Sequence, residues 1–215
     1  MLPLKPFNYT VIKTQVNFSY ASSLLQLTIP PLLEYGIGLE AHGQNIVARI
    51  CIKTLAIKGF AVRDFGGIRF HIPTLNSQGF FLNSIPAGSA ITSVNLRDVR
   101  DKVHHSLIQN HLGMLIVSLH LDEMGGWAIV RDELKKVIRP DESEVAKELY
   151  QYFFDETMFF KCFLRMKMEG KYRDVSGQPI ITSFLNTDSI LSSTLKDAYL
   201  MCCSHSYNAF ENEDF

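Results

Sequence analysis

The stretch from Glu40 to Asp64 constrains this chain more than any other, because an apolar, alternating segment is flanked at both ends by polar signals. The first signal is Glu40, His42, Gln44 and Asn45, placed directly after an apolar run, and the second is Arg63-Asp64-Phe65-Gly66-Gly67. From Ile46 to Val62, Ile, Val, Cys, Leu, Ala and Phe are interspersed with Arg49, Lys53 and Lys58, and Lys58-Gly59 supplies a turn signal. The pattern predicts a β-hairpin. A hairpin returns its two ends to one place, so the Glu40 to Asn45 cluster and Asp64 should meet in space.

Carboxylate and carboxamide oxygens converging there form a hard-oxygen site. Mg²⁺ bridged to nucleotide phosphates is the ion that such a sparse set suits. Protein kinases use the same logic, with a catalytic-loop Asn and the Asp of Asp-Phe-Gly holding the metals. Asp-Phe-Gly alone is a weak signal. The joint pattern, an acidic residue, a His and an Asn before a hairpin and Asp-Phe-Gly-Gly after it, is far more specific.

Leu39-Glu40-Ala41-His42-Gly43-Gln44-Asn45, followed by Val62-Arg63-Asp64-Phe65-Gly66-Gly67-Ile68-Arg69, resembles the paired signature of the NRPS-independent siderophore synthetases, the IucA/IucC or aerobactin-synthetase type. The resemblance runs from Leu24 to Val175 and corresponds to the C-terminal half of that family. It implies ATP-dependent adenylation of citrate or a related polycarboxylic acid, followed by capture with an amine, hydroxylamine or alcohol. It also implies an α+β fold, mostly helical, made of palm and thumb portions with the hairpin carrying a remotely kinase-like ATP and Mg²⁺ site. By motif, Glu40, Asn45 and Asp64 would hold the metal, and His42, Asn45 and Asp64 would be catalytic. His42, Gln44, Asn45 and Arg63 would face the nucleotide or the acid. Lys161 and Arg165, in a segment similar to one where a Lys begins an apolar helix ending in basic residues, would face an anionic substrate. The residues that cradle the triphosphate in the family lie in its N-terminal half, which is therefore the expected partner, and a homodimer is compatible with the family.

Composition narrows the classes. Hydrophobic residues at 47% and charged residues at 20% are ordinary globular values, so 215 residues can bury a sizeable core. A net charge of −1 argues against binding nucleic acid through phosphate neutralisation. No uncharged apolar run of about 18 residues suggests a membrane span. Cys51, Cys162, Cys202 and Cys203 are few and irregularly spaced, which fits reduced thiols in a cytoplasmic protein.

Along the chain, residues 1–22 read as an N-terminal arm or strand, 23–95 as the palm-like part and 96–215 as the helical thumb-like part. Pro30-Pro31 is expected to break a helical pattern that starts near Ser22. Ile68, Phe70 and Ile72 alternate as a strand with His71 facing solvent, and Thr74 to Thr92 reads as an irregular loop. Val99, Val103, Leu107, Ile108, Leu112, Leu115, Ile116 and Leu119 follow helical spacing. The histidines among them, His104, His105, His111 and His120, suit packing or surface roles better than a metal. Trp127 to Ile138 forms the next helix, and Asp141 to Gly170 two more. Leu96 to Gly170 should then form a helical layer over one side of the hairpin. Two other readings remain open at this point: a non-catalytic binding module that keeps the fold, and a small kinase-like phosphotransferase.

Overall fold

The computed structural model describes the backbone of residues 9–159, except 55, 87 and 156, and of 179–181; side chains are described over 19–155 apart from those three positions and residue 123. The chain divides into two units after Phe154.

The first unit is organised by a long helix, α1 (Tyr9–Tyr35). Ala21, Leu24, Leu25, Thr28, Ile29 and Leu32 are all buried. Their spacing places them on one stripe of a 3.6-residue helix. This corrects two expectations. The segment expected as an arm or strand is helical from Tyr9 onward, and Pro30 and Pro31 lie inside the helix without breaking it. Proline's fixed φ is compatible with helix, and the two prolines remove only the N–H donors that would serve the carbonyls of Gln26 and Leu27. α1 packs chiefly against α5 (Gly126–Ile138), whose Val130, Leu134 and Ile138 are buried. α6 (Glu144–Phe153) adds Ala146, Leu149 and Phe153 to the core.

After α1 the chain enters a three-stranded sheet of β1 (Ile37–Gly38), β4 (Arg69–His71) and β5 (Thr92–Ser93) in the order β1-β4-β5. β1 pairs antiparallel with β4, Ile37 opposite Phe70, and β4 pairs parallel with β5, Phe70 opposite Thr92. A Cβ added at Gly38 would fall 2.7 Å from Val99 Cγ1, so glycine here lets β1 lie directly on the helix α3 (Leu96–Val103).

The expected hairpin is present as β2 (Ile46–Ile50) and β3 (Ile57–Val62), antiparallel with Ile46 opposite Val62. Its turn spans Cys51 to Ala56, where Cys51 N–H donates to Ala56 O at 2.9 Å, and not Lys58-Gly59. Gly59 instead lies within β3 at φ +130°, opposite Arg49 and beside the register shift between Arg49 and Ile50. The hairpin packs mainly on α1, with the Tyr20 and Phe60 rings edge to face at 5.0 Å. The helices after Leu96 instead line α1 and the three-stranded sheet, so the expected helical cover over the hairpin is corrected.

His71 is buried rather than solvent-facing: it caps α2 (Ile72–Ser77), its Nδ1 lies 2.6 Å from Thr74 Oγ1, and its Nε2 lies 3.2 Å from Val94 O. Helix α2 thus occupies the start of the segment expected to be irregular.

The helical run from Leu96 to Ser118 is continuous but not uniform. α3 passes into a ten-residue π-helical stretch, His104–Gly113, and then into α4 (Met114–Ser118). The side chains follow the i, i+5 geometry of a π-helix. Gln109 pairs with His104 at 3.2 Å, and Asn110 Nδ2 lies 2.9 Å from His105 Nε2. His104 is fully enclosed and stacks on Phe153 at 5.5 Å, and Tyr152 donates its hydroxyl to Asp101. The histidines of this run thus pack or lie at the surface, His120 being exposed.

The second unit contains β6 (Thr157–Phe159) paired antiparallel with β7 (Pro179–Ile181). Lys161, Arg165, Cys162, Cys202 and Cys203 lie outside the described residues. Among the described residues no helix is long and apolar enough to cross a membrane.

Burial pulls the His104 pKa down to about 3, and burial also lowers that of His111. Both rings are held neutral in the fold but titrate near 6.5 when unfolded, so the stabilisation is complete above pH 6.5 and is lost as pH falls below it, for His104 down to about 3. Asp101 works in the opposite sense, since burial raises its pKa. The unfolding free energy from denaturant titrations should therefore fall from pH 7.5 to pH 5, with His104 contributing up to about 1.4 kcal/mol per pH unit below 6.5 and His111 adding in the same direction. His104→Phe, which keeps a ring on Phe153, should flatten that slope. An unchanged slope would show that His104 is not held neutral.

Candidate functional site

The two polar signals meet at the open end of the hairpin. Asn45 O accepts from Arg63 N–H at 2.9 Å, continuing the ladder one step beyond Ile46 and Val62, and Arg63 Nε donates to Gln44 O at 2.6 Å. Asn45 is 5% exposed; its Nδ2 donates to Glu40 O at 3.1 Å, and its N–H to His42 O at 2.9 Å. The loop is thus closed on itself by one asparagine, whose Oδ1 accepts no hydrogen bond among the described residues.

Asp64 stands at φ 59° ψ 77°, a left-handed conformation that Asp tolerates better than most residues. It caps the short 3₁₀ turn Phe65–Gly67 by accepting from Gly66 N–H at 3.2 Å through Oδ1. The Glu40 carboxylate lies directly over that turn: a Cβ on Gly67 would sit 1.6 Å from Glu40 Oε2. Glu40 Oε1 is ion-paired with Lys102 of α3, and both side chains are mostly enclosed. Glu40 therefore ties three segments together: its own loop, the Asp-Phe-Gly-Gly turn and α3.

A second anchor holds Ala41, which is fully buried. Its N–H donates to Ser106 Oγ at 3.2 Å, and its carbonyl accepts from His111 Nδ1 at 2.7 Å. Ser106 passes its own proton to Lys102 O at 2.9 Å. With Nδ1 protonated, His111 Nε2 accepts from the Tyr20 hydroxyl at 2.8 Å, and burial raises the Tyr20 pKa, keeping that proton in place. Ser106 and His111 are five residues apart, so only the π-helical stretch sets them on one face. Lys102, Ser106 and His111 were not singled out as site residues by sequence. The available signal was Ser106 itself, a polar residue in phase with the buried Val99 and Val103.

His42 is half-buried, while Gln44, Arg63 and Asp64 are exposed. The side chains of His42 and Gln44 make no hydrogen bond with any described residue, so both are available to a ligand. Among the described residues, no group of three or more His, Cys, Asp or Glu gathers to hold a metal by itself. The oxygens left over, Asn45 Oδ1 and the second oxygen of Asp64, suit a Mg²⁺ that keeps most of its shell as water and phosphate. Glu40 suits that role less well, because Lys102 already occupies it.

A family model described as "Ferric iron reductase FhuF-like transporter" matches residues 19–176, well over half of the chain. The NRPS-independent siderophore synthetase-like protein ankE of Aspergillus thermomutatus is 48% identical over 158 residues, which cover 74% of this chain and 26% of that protein. The chain belongs to the FhuF-like family. The synthetase rfs of Rhizopus delemar is 36% identical over 75% of this chain and 25% of its own length. The D-ornithine–citrate ligase of Staphylococcus aureus is 32% identical over 71% of the chain and 26% of its own length. The chain thus spans about a quarter of the length of these curated relatives. The crystal structure of the petrobactin biosynthesis protein AsbB of Bacillus anthracis superposes with a TM-score of 0.59 at 20% identity, covering 81% of this chain and 32% of AsbB. That likeness concerns the fold, a helix-rich α+β arrangement with small sheets.

Gly67→Ala should push the Glu40 carboxylate off the turn and away from Lys102. Forced overpacking of this kind typically costs about 1–3 kcal/mol. Chemical denaturation should show a loss in that range, whereas a neutral result would mean that Glu40 is not seated against Gly67 in solution.

Proposed function

We propose that the chain is the C-terminal portion of an ATP-dependent carboxylate ligase of siderophore assembly. The observation that carries the reading is the meeting of the Glu40–Asn45 loop and the Asp-Phe-Gly-Gly turn at one end of the hairpin, in a chain whose relatives are siderophore synthetases. The acid is citrate or a close polycarboxylic relative, and the captured group is an amine, hydroxylamine or alcohol. Activation forms a bond between a substrate carboxylate oxygen and the α-phosphorus of ATP and expels pyrophosphate. The nucleophile then attacks the acyl carbon, releases AMP and leaves an amide or ester.

In this reading Asn45 Oδ1 and Asp64 would hold Mg²⁺, which when bound would supply charge neutralisation at the phosphates. His42 donates to a phosphate or to the carboxylate being activated, and Gln44 and Arg63 flank the entry. Glu40 orients the loop through Lys102 and Gly67 more than it ligates the ion. By motif, Lys161 and Arg165 would face an anionic substrate; both lie outside the described residues. The site is remotely kinase-like in its pairing of an Asn with the Asp of Asp-Phe-Gly. The N-terminal part of a synthetase supplies the remaining phosphate contacts, and the protein acts in the cytoplasm.

Citrate-dependent exchange of labelled pyrophosphate into ATP tests this directly. Combined with the N-terminal part of a related synthetase, the chain should support exchange, and Asp64→Ala should reduce it by about 10²-fold or more, as loss of one preorganised charge-stabilising group does elsewhere. Exchange that is unaffected by Asp64→Ala would remove the site from the mechanism.

A further inference from the structure

Lys102 is the most constrained cation at this site. Its side chain is 20% exposed and has Glu40 Oε1, on a side chain 25% exposed, as its only partner among the described residues. An ammonium carries three donors. One is used, by Glu40. The two remaining donors have no partner among the described residues. The Glu40 carboxylate that holds Lys102 also reaches the Gly66-Gly67 turn, lying against Gly67 while Asp64 Oδ1 takes the Gly66 N–H. Arg63, the other cation at the hairpin end, already donates Nε to Gln44 O and is exposed.

We propose that Lys102 is a phosphate-binding residue of this site, held by Glu40 while no ligand is bound and presented to an anion that settles over the Gly66-Gly67 turn. This rests on the proposed function and adds to it a cation from within the first unit. The ion pair is a resting state: Glu40 holds the ammonium in place without using all its donors, and an incoming phosphate competes for it as a second, more highly charged acceptor. Such charge-assisted contacts are the strong ones.

Removing the two partners should then have opposite effects, which a purely structural ion pair would not produce. Inorganic pyrophosphate binding to the chain is measured by titration calorimetry without metal, at two salt concentrations. Lys102→Met should weaken binding about tenfold and flatten its salt dependence. Glu40→Gln should tighten binding several-fold, because it frees the ammonium and removes a neighbouring negative charge. Should Lys102→Met not fold, the comparison of Glu40→Gln with the double variant Glu40→Gln/Lys102→Met, where no buried charge is left alone, carries the same information. Thermal melts check that the variants remain folded.

Weakening by both single variants, or binding unmoved by removal of Lys102 in either background, overturns the assignment and leaves the proposed function standing. No pyrophosphate binding by the wild-type chain or by Glu40→Gln overturns the assignment as well. Pyrophosphate exchange with the N-terminal part then decides separately whether the functional reading survives.

Discussion

The candidate site depends on how the buried backbone of Ala41 is satisfied. A loop that leaves a sheet, runs through the interior and re-emerges as a hairpin exposes peptide groups to a medium without water, where each unpaired group costs about 1–3 kcal/mol. Ser106 takes the Ala41 N–H and His111 its carbonyl. Only with both in place is the loop fixed, so that Asn45 can close it and Glu40 can lie on the Gly67 turn. The polar face shown to solvent, His42, Gln44 and Asp64, is the outer side of a loop bonded from within.

The meeting of the two motifs was legible because it follows from strand pairing alone: alternating apolar residues between them imply a hairpin, and a hairpin has one open end. The site's internal supports were not. Lys102, Ser106 and His111 contact residues 62 to 70 positions earlier in sequence, and no local pattern specifies such pairings. His111 was correctly read as a packing residue but without its partner. His71 was misread because a two-residue alternation assigned it outward, whereas the chain turns into α2 there and uses the imidazole as a cap.

Other departures have a shared cause in tertiary context. Alternating apolar residues in 1–22 suggest an arm or strand, yet the chain is helical from Tyr9 onward, because the later turns of α1 bury a continuous stripe against α5 and the helix extends from there. The hairpin turn moved because Gly59 meets a strand irregularity rather than a reversal. In each case a weak local preference was outweighed by burial elsewhere.

The π-helical stretch also sets an angular phase. Ten residues wound with the wider i, i+5 repeat place α4 about half a turn out of step with a helix that had continued from α3, and adding or removing one residue of an α-helix corresponds to about 100° of rotation. Chain length between His104 and Gly113 is thus a dial that decides which side of the following segment meets the core. A relative lacking a single residue here could keep every buried apolar residue of α3 and still carry Ile116 and Leu121 round to a different face, taking the contact of Gly126 with Leu121 along with them. Within such a family, one-residue gaps in this helix would mark a rebuilt support for the site more tellingly than substitutions in the polar motif.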